Sequence, residues 1–272
     1  MSVDKGVAFR SLHQRNAAFI IPNPWDIGSA RILEHLGFEA LATTSMGFAF
    51  SQGKLDTAVG RDAMLAHVAA IASATALPVN ADLENGYGDS PDTVAETIRL
   101  AAAAGVVGGS IEDATGRPGD PIYERGLAVE RVRAAVEAAR ALPFVFTVTA
   151  RAENFLHGRA DLKDTIERLQ AFEAAGADVL YAPGLRSKDD IASVVTSLSR
   201  PVNVLMGLQG VVLSAADLSS LGVRRISVGS ALYRAALGAF LRAAHEMRDD
   251  GTFEFAADAA NPRDVADIFR QG

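Results

Sequence analysis

Short apolar runs alternate along the chain with longer stretches in which apolar residues recur every three or four positions. Eight of these runs predict strands, at residues 18–21, 40–43, 78–88 (a strand ending in a glycine-rich turn), 106–111, 144–149, 178–181, 202–206 and 225–228. The stretches between them predict amphipathic helices. Because the strands lack polar alternation, they are typical of a parallel sheet buried on both faces. Eight strand–helix units predict an α/β fold, the (β/α)₈ TIM barrel.

A single domain of residues 1–272 is predicted, with the barrel at about 18–245 and a polar tail at about 246–272 that has one more helix pattern. A short helix is predicted within residues 1–17, and a loop rich in Gly, Pro and Arg at 115–125. A doubly wound open sheet is the alternative fold. It is less favoured because no G-x-G-x-x-G follows the first strand.

Charge and cysteine content exclude several classes of function. The net charge of −7 provides no basic surface for nucleic acid and argues against an anionic membrane partner. The absence of cysteine excludes disulfides, thiolate zinc sites and a cysteine nucleophile or acid. The N-terminus has no apolar signal core, and no apolar run approaches the roughly 20 residues of a membrane span. We therefore expect a soluble, cytoplasmic protein.

Polar residues gather where the predicted strands end, which is where barrels of this type place their working groups. The candidates are Asn23, Trp25, Asp26, Thr44, Ser45, Asp56, Asp82, Glu84, Glu112, Asp113, Arg151, Glu153, Asn154, Asn203 and Gln209. Carboxylates, hydroxyls and amides form an all-oxygen set that suits Mg²⁺, or Mn²⁺. The five histidines are scattered without metal-ligand spacing, which disfavours zinc and non-haem iron.

Asp82 and Glu84 lie two positions apart, so a strand would project both to one face. Such a pair is stabilised by a divalent metal, a shared proton or a basic partner, and the alternative is a solvated strand end. Arg151 could pair with Glu153 or Glu112, or it could clamp a substrate carboxylate. Gly229-Ser230 could bind a phosphate through backbone N–H groups or be an ordinary helix cap.

Several of these segments resemble motifs of the isocitrate lyase/phosphoenolpyruvate mutase superfamily. Residues 82–88, Asp-Leu-Glu-Asn-Gly-Tyr-Gly, are similar to its Asp-x-Asp-Thr-Gly-Tyr-Gly motif. Further similar segments are Gly37-Phe38-Glu39-Ala40, Thr44-Ser45, Leu55-Asp56, Ile111-Glu112-Asp113, Ala150-Arg151-Ala152-Glu153 and Ala174-Ala175-Gly176-Ala177-Asp178. The resemblance covers roughly residues 18–240, with the motifs in the family's order.

The resemblance implies a Mg²⁺-dependent carbon–carbon lyase or decarboxylase that acts on a small 2-oxo or 2-hydroxy dicarboxylic acid through an enolpyruvate-like oxyanion. It implies that Asp82, Glu84 and Glu112 hold the metal, directly or through water. Arg151 would stabilise the oxyanion or the carboxylate, and Asp56 would orient substrate or water. The predicted catalytic residues are Arg151, Asp56 and Glu112, and the predicted substrate-binding residues are Thr44, Ser45, Met46, Gly47, Trp25 and Asn203.

Two departures from the family narrow the expected chemistry. The loop after the fourth strand, residues 115–121, lacks the catalytic cysteine of the lyases, and residues 113–130 lack the asparagine of the mutase and phosphonopyruvate hydrolase branches. Glu84 and Asn85 replace the usual Asp and Thr. Decarboxylation of an oxaloacetate-like acid requires least from that loop. Carbon–phosphorus chemistry and a non-catalytic oxo-acid binder are the alternatives.

The resemblance also implies a homo-oligomer, a dimer or tetramer, because superfamily members commonly exchange their last barrel helix between subunits. A C-terminal helix swapped in this way would fit the long apolar helix pattern that begins at Ser230, and so would a monomer whose tail packs on itself.

Overall fold

Eight parallel strands form the centre of the computed structural model, which describes residues 4–270. They are β1 (Phe19–Ile21), β2 (Leu41–Ala42), β3 (Val79–Asp82), β4 (Gly108–Glu112), β7 (Thr147–Arg151), β8 (Val179–Tyr181), β9 (Val202–Leu205) and β10 (Arg225–Ser227). The strand order is β1-β10-β9-β8-β7-β4-β3-β2. The Ala42 N–H donates to the Pro22 carbonyl at 3.0 Å, which links the two end strands. The predicted α/β TIM barrel is confirmed.

Helices follow the strands and surround the barrel. They are α1 (Lys5–Leu12), α2 (Ile27–His35), α3 (Ser45–Ser51), α4 (Arg61–Ser73), α5 (Pro91–Ala103), α6 (Arg125–Arg140), α7 (Leu162–Ala174), α8 (Lys188–Thr196), α9 (Ala215–Ser220), α10 (Ala231–Asp249) and α11 (Pro262–Arg270), with 3₁₀ turns at Asn154–His157 and Glu254–Asp258. Local sequence explains where many begin: before α5, for example, Ser90 accepts from the Thr93 N–H and Pro91 occupies the first turn.

Helix α1 covers the N-terminal end of the barrel. Phe9 and Leu12 of α1 pack with Phe19, the first residue of β1, in a buried apolar cluster. A Cβ on Gly6 would lie 2.1 Å from the Val145 carbonyl oxygen just before β7, so α1 can approach the barrel closely only with glycine there. With this end covered, the C-terminal ends of the strands remain available for a site.

Two segments differ from the sequence prediction. The predicted loop at 115–125 contains an antiparallel hairpin, β5 (Ala114–Arg117) and β6 (Asp120–Ile122). Gly116, with φ +74°, permits its turn, and the Thr115 hydroxyl accepts from the Arg117 N–H at 3.0 Å. The segment directly after β2, for which no separate helix was predicted, forms α3, and the Thr44 hydroxyl caps the Gly47 N–H at its start.

The C-terminal segment packs loosely on the rest of the chain. No residue of α10 is buried, and Phe240, Leu241 and Met247 are exposed on it. Helix α11 contacts α2, where Arg31 Nη2 donates to the Phe269 carbonyl at 2.8 Å. Among residues 4–270, no helix is long and apolar enough to cross a membrane.

Candidate active site

A cavity of about 430 Å³ opens at the C-terminal ends of the strands and extends into the barrel. Its wall contains five carboxylates and two arginines, namely Asp56, Asp82, Glu84, Glu112, Glu153, Arg151 and Arg225. Most of the sequence-predicted rim residues therefore meet in one place, as expected for parallel strands that end at the same edge.

Arg151, the last residue of β7, links three of these carboxylates. Its Nη1 lies 2.9 Å from Asp82 Oδ1, its Nη2 lies 3.0 Å from Glu112 Oε2, and its Nε lies 2.8 Å from Glu153 Oε1. The guanidinium also lies against the ring of Tyr181, with 5.4 Å from Cζ to the ring centroid. Of the two roles that the sequence left open for Arg151, the pairing across the rim is present here.

Asp82 is held on its other oxygen by the start of α3. Its Oδ2 accepts from the Ser45 N–H at 3.0 Å and from the Ser45 hydroxyl at 2.9 Å. The Thr43 hydroxyl accepts from the Asp82 N–H at 2.9 Å, which fixes the end of β3 to the end of β2. Asp82 thus has a single defined orientation, with both carboxylate oxygens engaged.

Glu84 reaches the cavity by a different route from the predicted one. Strand β3 ends at Asp82, and Glu84 has φ +49°, so it belongs to a turn rather than to the strand. The prediction that strand alternation aligns the two acids is therefore wrong, although both side chains line the cavity. Within residues 4–270 the Glu84 carboxylate has neither a hydrogen-bond nor an ion-pair partner, which makes it the free acid of the cluster.

The electrostatics of the cavity show an excess of negative charge. Burial, together with the charges of Asp82 and Asp56, raises the pKa of Glu84 to about 8. Burial also raises the pKa of Glu112 well above its usual range, against the opposing effect of Arg151. The pKa of Asp56 is raised by burial and then by Asp82. The positive charge near these acids is therefore too small to balance the negative charge of their ionised forms.

The acid cluster has donor atoms that suit a hard divalent cation, but its side chains are not arranged as a preformed metal site. No group of three metal-binding side chains is close enough to hold an ion anywhere in the described part of the chain. The donors are nevertheless all oxygen, Glu84 is free, and carboxylates outnumber arginines. Since Mg²⁺ usually retains several waters and uses one or two carboxylates, this set is suited to Mg²⁺ held partly through water.

Buried ion pairs behind the rim hold Glu153 in place. Asp113, which follows Glu112, turns away from the cavity; its Oδ1 accepts from the Glu153 N–H at 2.8 Å, and its Oδ2 lies 3.2 Å from Arg168 Nη1. Burial raises the pKa of Asp113 to about 7. Asp113 therefore positions the segment after β7 and does not line the cavity.

Arg131 of α6 supports the glycine-rich turn from outside the cavity. Its guanidinium donates to the backbone carbonyls of Asn85, Gly88 and Asp89, and it lies 4.1 Å from the centroid of the Tyr123 ring. The side chain is almost fully buried. Because three carbonyls of one turn share one cation, the turn that carries Glu84 is fixed to α6.

The predicted substrate-binding residues divide into two groups. Thr44, Ser45, Met46 and Asn203 line the cavity, whereas Trp25 and Gly47 do not. Trp25 packs edge-on against Tyr233, with ring centroids 5.5 Å apart. The N–H of Gly47, a predicted substrate-binding residue, instead donates to the Thr44 hydroxyl at 3.2 Å. Met46 in the first turn of α3 keeps a backbone N–H without a partner within residues 4–270.

The phosphate interpretation of Gly229-Ser230 is not favoured by the backbone contacts. The N–H groups of Val228 and Gly229 both donate to Asn23 Oδ1, each at 2.9 Å. Asn23, placed on the rim by the sequence, therefore joins β1 to the segment after β10. Its side-chain oxygen thus occupies two backbone N–H groups that an anion at this position would need.

Sequence reasoning missed Arg131, Tyr181 and Arg225. Arg225 and Tyr181 were included only as ends of apolar strands, and Arg131 lies inside an apolar helix stripe. An arginine within a buried strand or stripe was the available signal, because such a residue is seldom buried without a specific role.

Comparison with known proteins agrees with this geometry. The family model described as phosphoenolpyruvate phosphomutase matches residues 9–248. A Burkholderia cenocepacia J2315 protein, provisionally described as a lyase/mutase, has a structure with a TM-score of 0.95 and 64% identity, covering 97% of this chain and 95% of its own. Oxaloacetate decarboxylase of Chromohalobacter salexigens is 28% identical over 97% of this chain and 92% of its own.

A structure of oxaloacetate acetylhydrolase with the product oxalate has a TM-score of 0.87 and 27% identity, covering 97% of this chain and 93% of its own. The family match spans most of the chain, including the segments around Asp82, Glu112 and Arg151. The chain therefore belongs to the phosphoenolpyruvate phosphomutase family, and its predicted place in the isocitrate lyase/phosphoenolpyruvate mutase superfamily of enzymes is confirmed.

Proposed function

We propose that this protein is a Mg²⁺-dependent lyase or decarboxylase of a small 2-oxo or 2-hydroxy dicarboxylic acid. The observation that supports this most is Arg151, held by Asp82, Glu112 and Glu153 in the wall of a cavity that has a free carboxylate, Glu84, beside it. A fixed arginine and an acid cluster suited to Mg²⁺ are the groups that stabilise an enolate oxygen.

Each residue then has a defined task. Asp82, with Glu84 and Glu112 directly or through water, would hold Mg²⁺, or Mn²⁺. When bound, the metal would polarise the oxo group and favour negative charge on its oxygen. Arg151 offers N–H groups to the oxyanion or carboxylate, and Asp56 orients substrate or water. The Met46 N–H is the nearby donor for a carboxylate, and the adjacent Ser45, whose hydroxyl donates to Asp82, positions the start of α3 beside it.

Decarboxylation is the reaction that best suits the hairpin after β4. When the bond to the departing carboxylate breaks, its electron pair passes to the enolate and CO₂ leaves. The carbon that carried the carboxylate then takes a proton from solvent water. This step requires no cysteine acid, and the chain contains none. The relatives named oxaloacetate decarboxylase and oxaloacetate acetylhydrolase make oxaloacetate the first substrate to test.

The test is turnover by the purified protein. Oxaloacetate and related four- and five-carbon acids would be incubated with Mg²⁺ or with EDTA, and pyruvate and other keto products measured. We expect Mg²⁺-dependent product that Asp82→Asn abolishes and Glu130→Gln, an exposed acid on α6, leaves unchanged. Failure of every acid in the panel would reject the enzymatic proposal.

A non-catalytic oxo-acid binder is the second candidate. The observation that favours it is the hairpin β5–β6, which contains neither the cysteine nor the asparagine of the family's catalytic loops. It predicts Mg²⁺-dependent oxalate binding without turnover. Carbon–phosphorus chemistry is less favoured on the same ground, and phosphonopyruvate in the substrate panel tests it.

We also propose a homo-oligomer, a dimer or tetramer, in the cytoplasm, with α10 at the interface. This helix has 19 residues and none is buried, while Phe240 and Leu241 are 65% and 47% exposed. Exposed apolar residues along one helix are typical of a surface covered by another subunit. Light scattering should give a multiple of the 28.5 kDa chain mass, and Phe240→Glu should reduce it. A monomeric wild-type protein would reject this.

A further inference from the structure

The interior of the barrel below the acid cluster is unusually polar. TIM barrels normally fill this space with layers of bulky aliphatic side chains. Here the strands contribute Asn80, Ser110, Thr149, Asn203 and Arg225, all buried. Four of these five residues, all but Thr149, line the same cavity as Asp82 and Arg151. The cavity therefore continues from the rim into a polar chamber.

Arg225 begins β10 whereas Arg151 ends β7, so Arg225 lies below the rim formed by the C-terminal ends of the strands. Arg225 and Ser227 are two positions apart on β10, so they face the same side, and Ser227 lines the upper cavity. Arg225 Nη2 donates to the Thr149 hydroxyl at 3.1 Å, and Thr149 precedes Arg151 by two residues on β7. The two guanidinium groups thus lie at successive depths of one cavity.

Arg225 has no acidic partner in the part of the chain that the structure describes. Its Nε donates to Asn203 Oδ1 at 2.9 Å and its Nη2 to Thr149, both neutral groups, while Nη1 is buried without any hydrogen-bond partner. Burial lowers the pKa of Arg225 to about 10, and the guanidinium therefore remains charged at neutral pH. A buried cation without an anion is unfavourable, so its retention indicates a missing anionic partner.

Polar side chains lie between this residue and the rim. Asn203 Nδ2 donates to the Ser227 hydroxyl at 2.9 Å, and Ser227 and Tyr181 both line the cavity. Tyr181 in turn lies against Arg151. Neutral donors therefore line the route between the two arginines, and no carboxylate of the rim interrupts the deeper layer. An anion in this layer would meet positive charge from both depths.

We propose that Arg225 is the specificity-determining residue that receives the distal carboxylate of a dicarboxylic substrate, while the oxo or hydroxy acid end lies at the rim with Arg151. This assignment rests on the proposed function for the rim half of the ligand. The distal group would lie among Arg225, Asn203 and Ser227, and a methyl group in its place would leave the cation uncompensated. The cavity selects dicarboxylates over monocarboxylates of equal length.

The test uses two ligands that differ only at the distal end, malate and 2-hydroxybutanoate, with calorimetric titration in Mg²⁺. The wild-type protein should bind malate at least tenfold more tightly. In Arg225→Met this ratio should fall below threefold, and Arg225→Lys should retain part of it. The matched control is Arg224→Met, because Arg224 instead donates to the Asn16 carbonyl at 2.9 Å. Oxalate, which has no distal extension, should bind Arg225→Met within threefold of the wild-type affinity.

Two results would overturn the assignment. One is a wild-type protein that binds both hydroxy acids equally, a result that needs no variant and does not depend on how Arg225→Met folds. The other is an equal loss of oxalate and malate affinity in a folded Arg225→Met protein, which indicates a purely structural role. If oxalate fails to bind the wild-type protein while the Arg225-dependent preference for malate persists, the proposed function fails and this inference stands.

Discussion

Arg151 Nη1 lies 2.9 Å from Asp82 Oδ1, and the two residues come from strands β7 and β3 with β4 between them. Side chains at positions 151 and 82 are only 15% and 17% exposed, so this ion pair is largely removed from water. Because Glu112 and Glu153 contact the same guanidinium, Arg151 compensates several buried acids at once. The site depends on it both for stability and for charge.

Replacing Arg151 by methionine should strongly destabilise the fold. Removal of one partner from a buried ion pair costs about 3–5 kcal/mol, because the other charge remains buried. Urea unfolding of Arg151→Met should show a loss in that range, and turnover should disappear. Arg151→Lys should recover part of the stability but little turnover, since lysine lacks the planar fork. An Arg151→Met protein of wild-type stability would contradict this.

The pKa of about 8 at Glu84 predicts how stability depends on pH without metal. An acid whose pKa is raised in the folded state favours folding while it holds its proton, so that its contribution is lost as pH rises from about 4.5 to 8. In EDTA, the wild-type melting temperature should fall across this window, and that of Glu84→Gln should fall less. At pH 8.5 we expect Glu84→Gln to be more stable by about 1–3 kcal/mol. A variant less stable than wild type at pH 8.5 would refute the prediction.

Arg131 should affect activity without contacting the cavity. Arg131→Met leaves three backbone carbonyls of the turn at 85–89 without their donor, which should cost about 2–4 kcal/mol. Since Glu84 directly precedes these residues, we also expect kcat/KM to fall at least tenfold. Arg133→Met, an exposed arginine on the same helix, is the control and should change neither. Wild-type kinetics in folded Arg131→Met would argue against a positioning role.

A side chain at Gly86 should destabilise the fold more than one at Gly37. Gly86 has φ +77°, and a Cβ there would lie 3.0 Å from Val94 Cγ2 and 3.3 Å from Val94 Cα. Gly37 has φ +85°, but a Cβ there would have no neighbouring atom within 4 Å. Gly37→Ala should therefore cost about 1 kcal/mol from backbone strain alone, and Gly86→Ala about 2–3 kcal/mol. Chemical denaturation compares them, and equal losses would exclude the steric contribution of Val94.

The sequence could predict the barrel because each strand is short, apolar and followed by a helix pattern. The rim residues followed from this, since parallel strands bring Asp82, Glu112 and Arg151 to one edge. The sequence pattern could not predict which side chains would pair with one another. That Arg151 would pair with Asp82 depends on distances across three strands, which no local spacing encodes.

The remaining differences come from local conformation and from long-range burial. Glu84 leaves the strand because φ becomes positive directly after Leu83, and glutamate is not a residue from which this is expected. The hairpin at Ala114–Ile122 was missed because Gly and Pro within it resemble an open loop. Arg225 lies in a short apolar strand whose sequence suggests only a structural role. Its hydrogen bonds to the neutral side chains of Asn203 and Thr149, which mark it as an unusual buried cation, are visible only in the structure.

We propose that the cavity around Asp82 and Arg151 stabilises an enolpyruvate-like anion together with Mg²⁺. Calorimetric titration with oxalate, which resembles that anion, measures this stabilisation. We predict one oxalate per chain in Mg²⁺, at least 100-fold weaker binding in EDTA, and loss of binding in Asp82→Asn but not in Glu130→Gln. Oxalate binding of equal strength in Mg²⁺ and EDTA, or no binding in Mg²⁺, would contradict the claim.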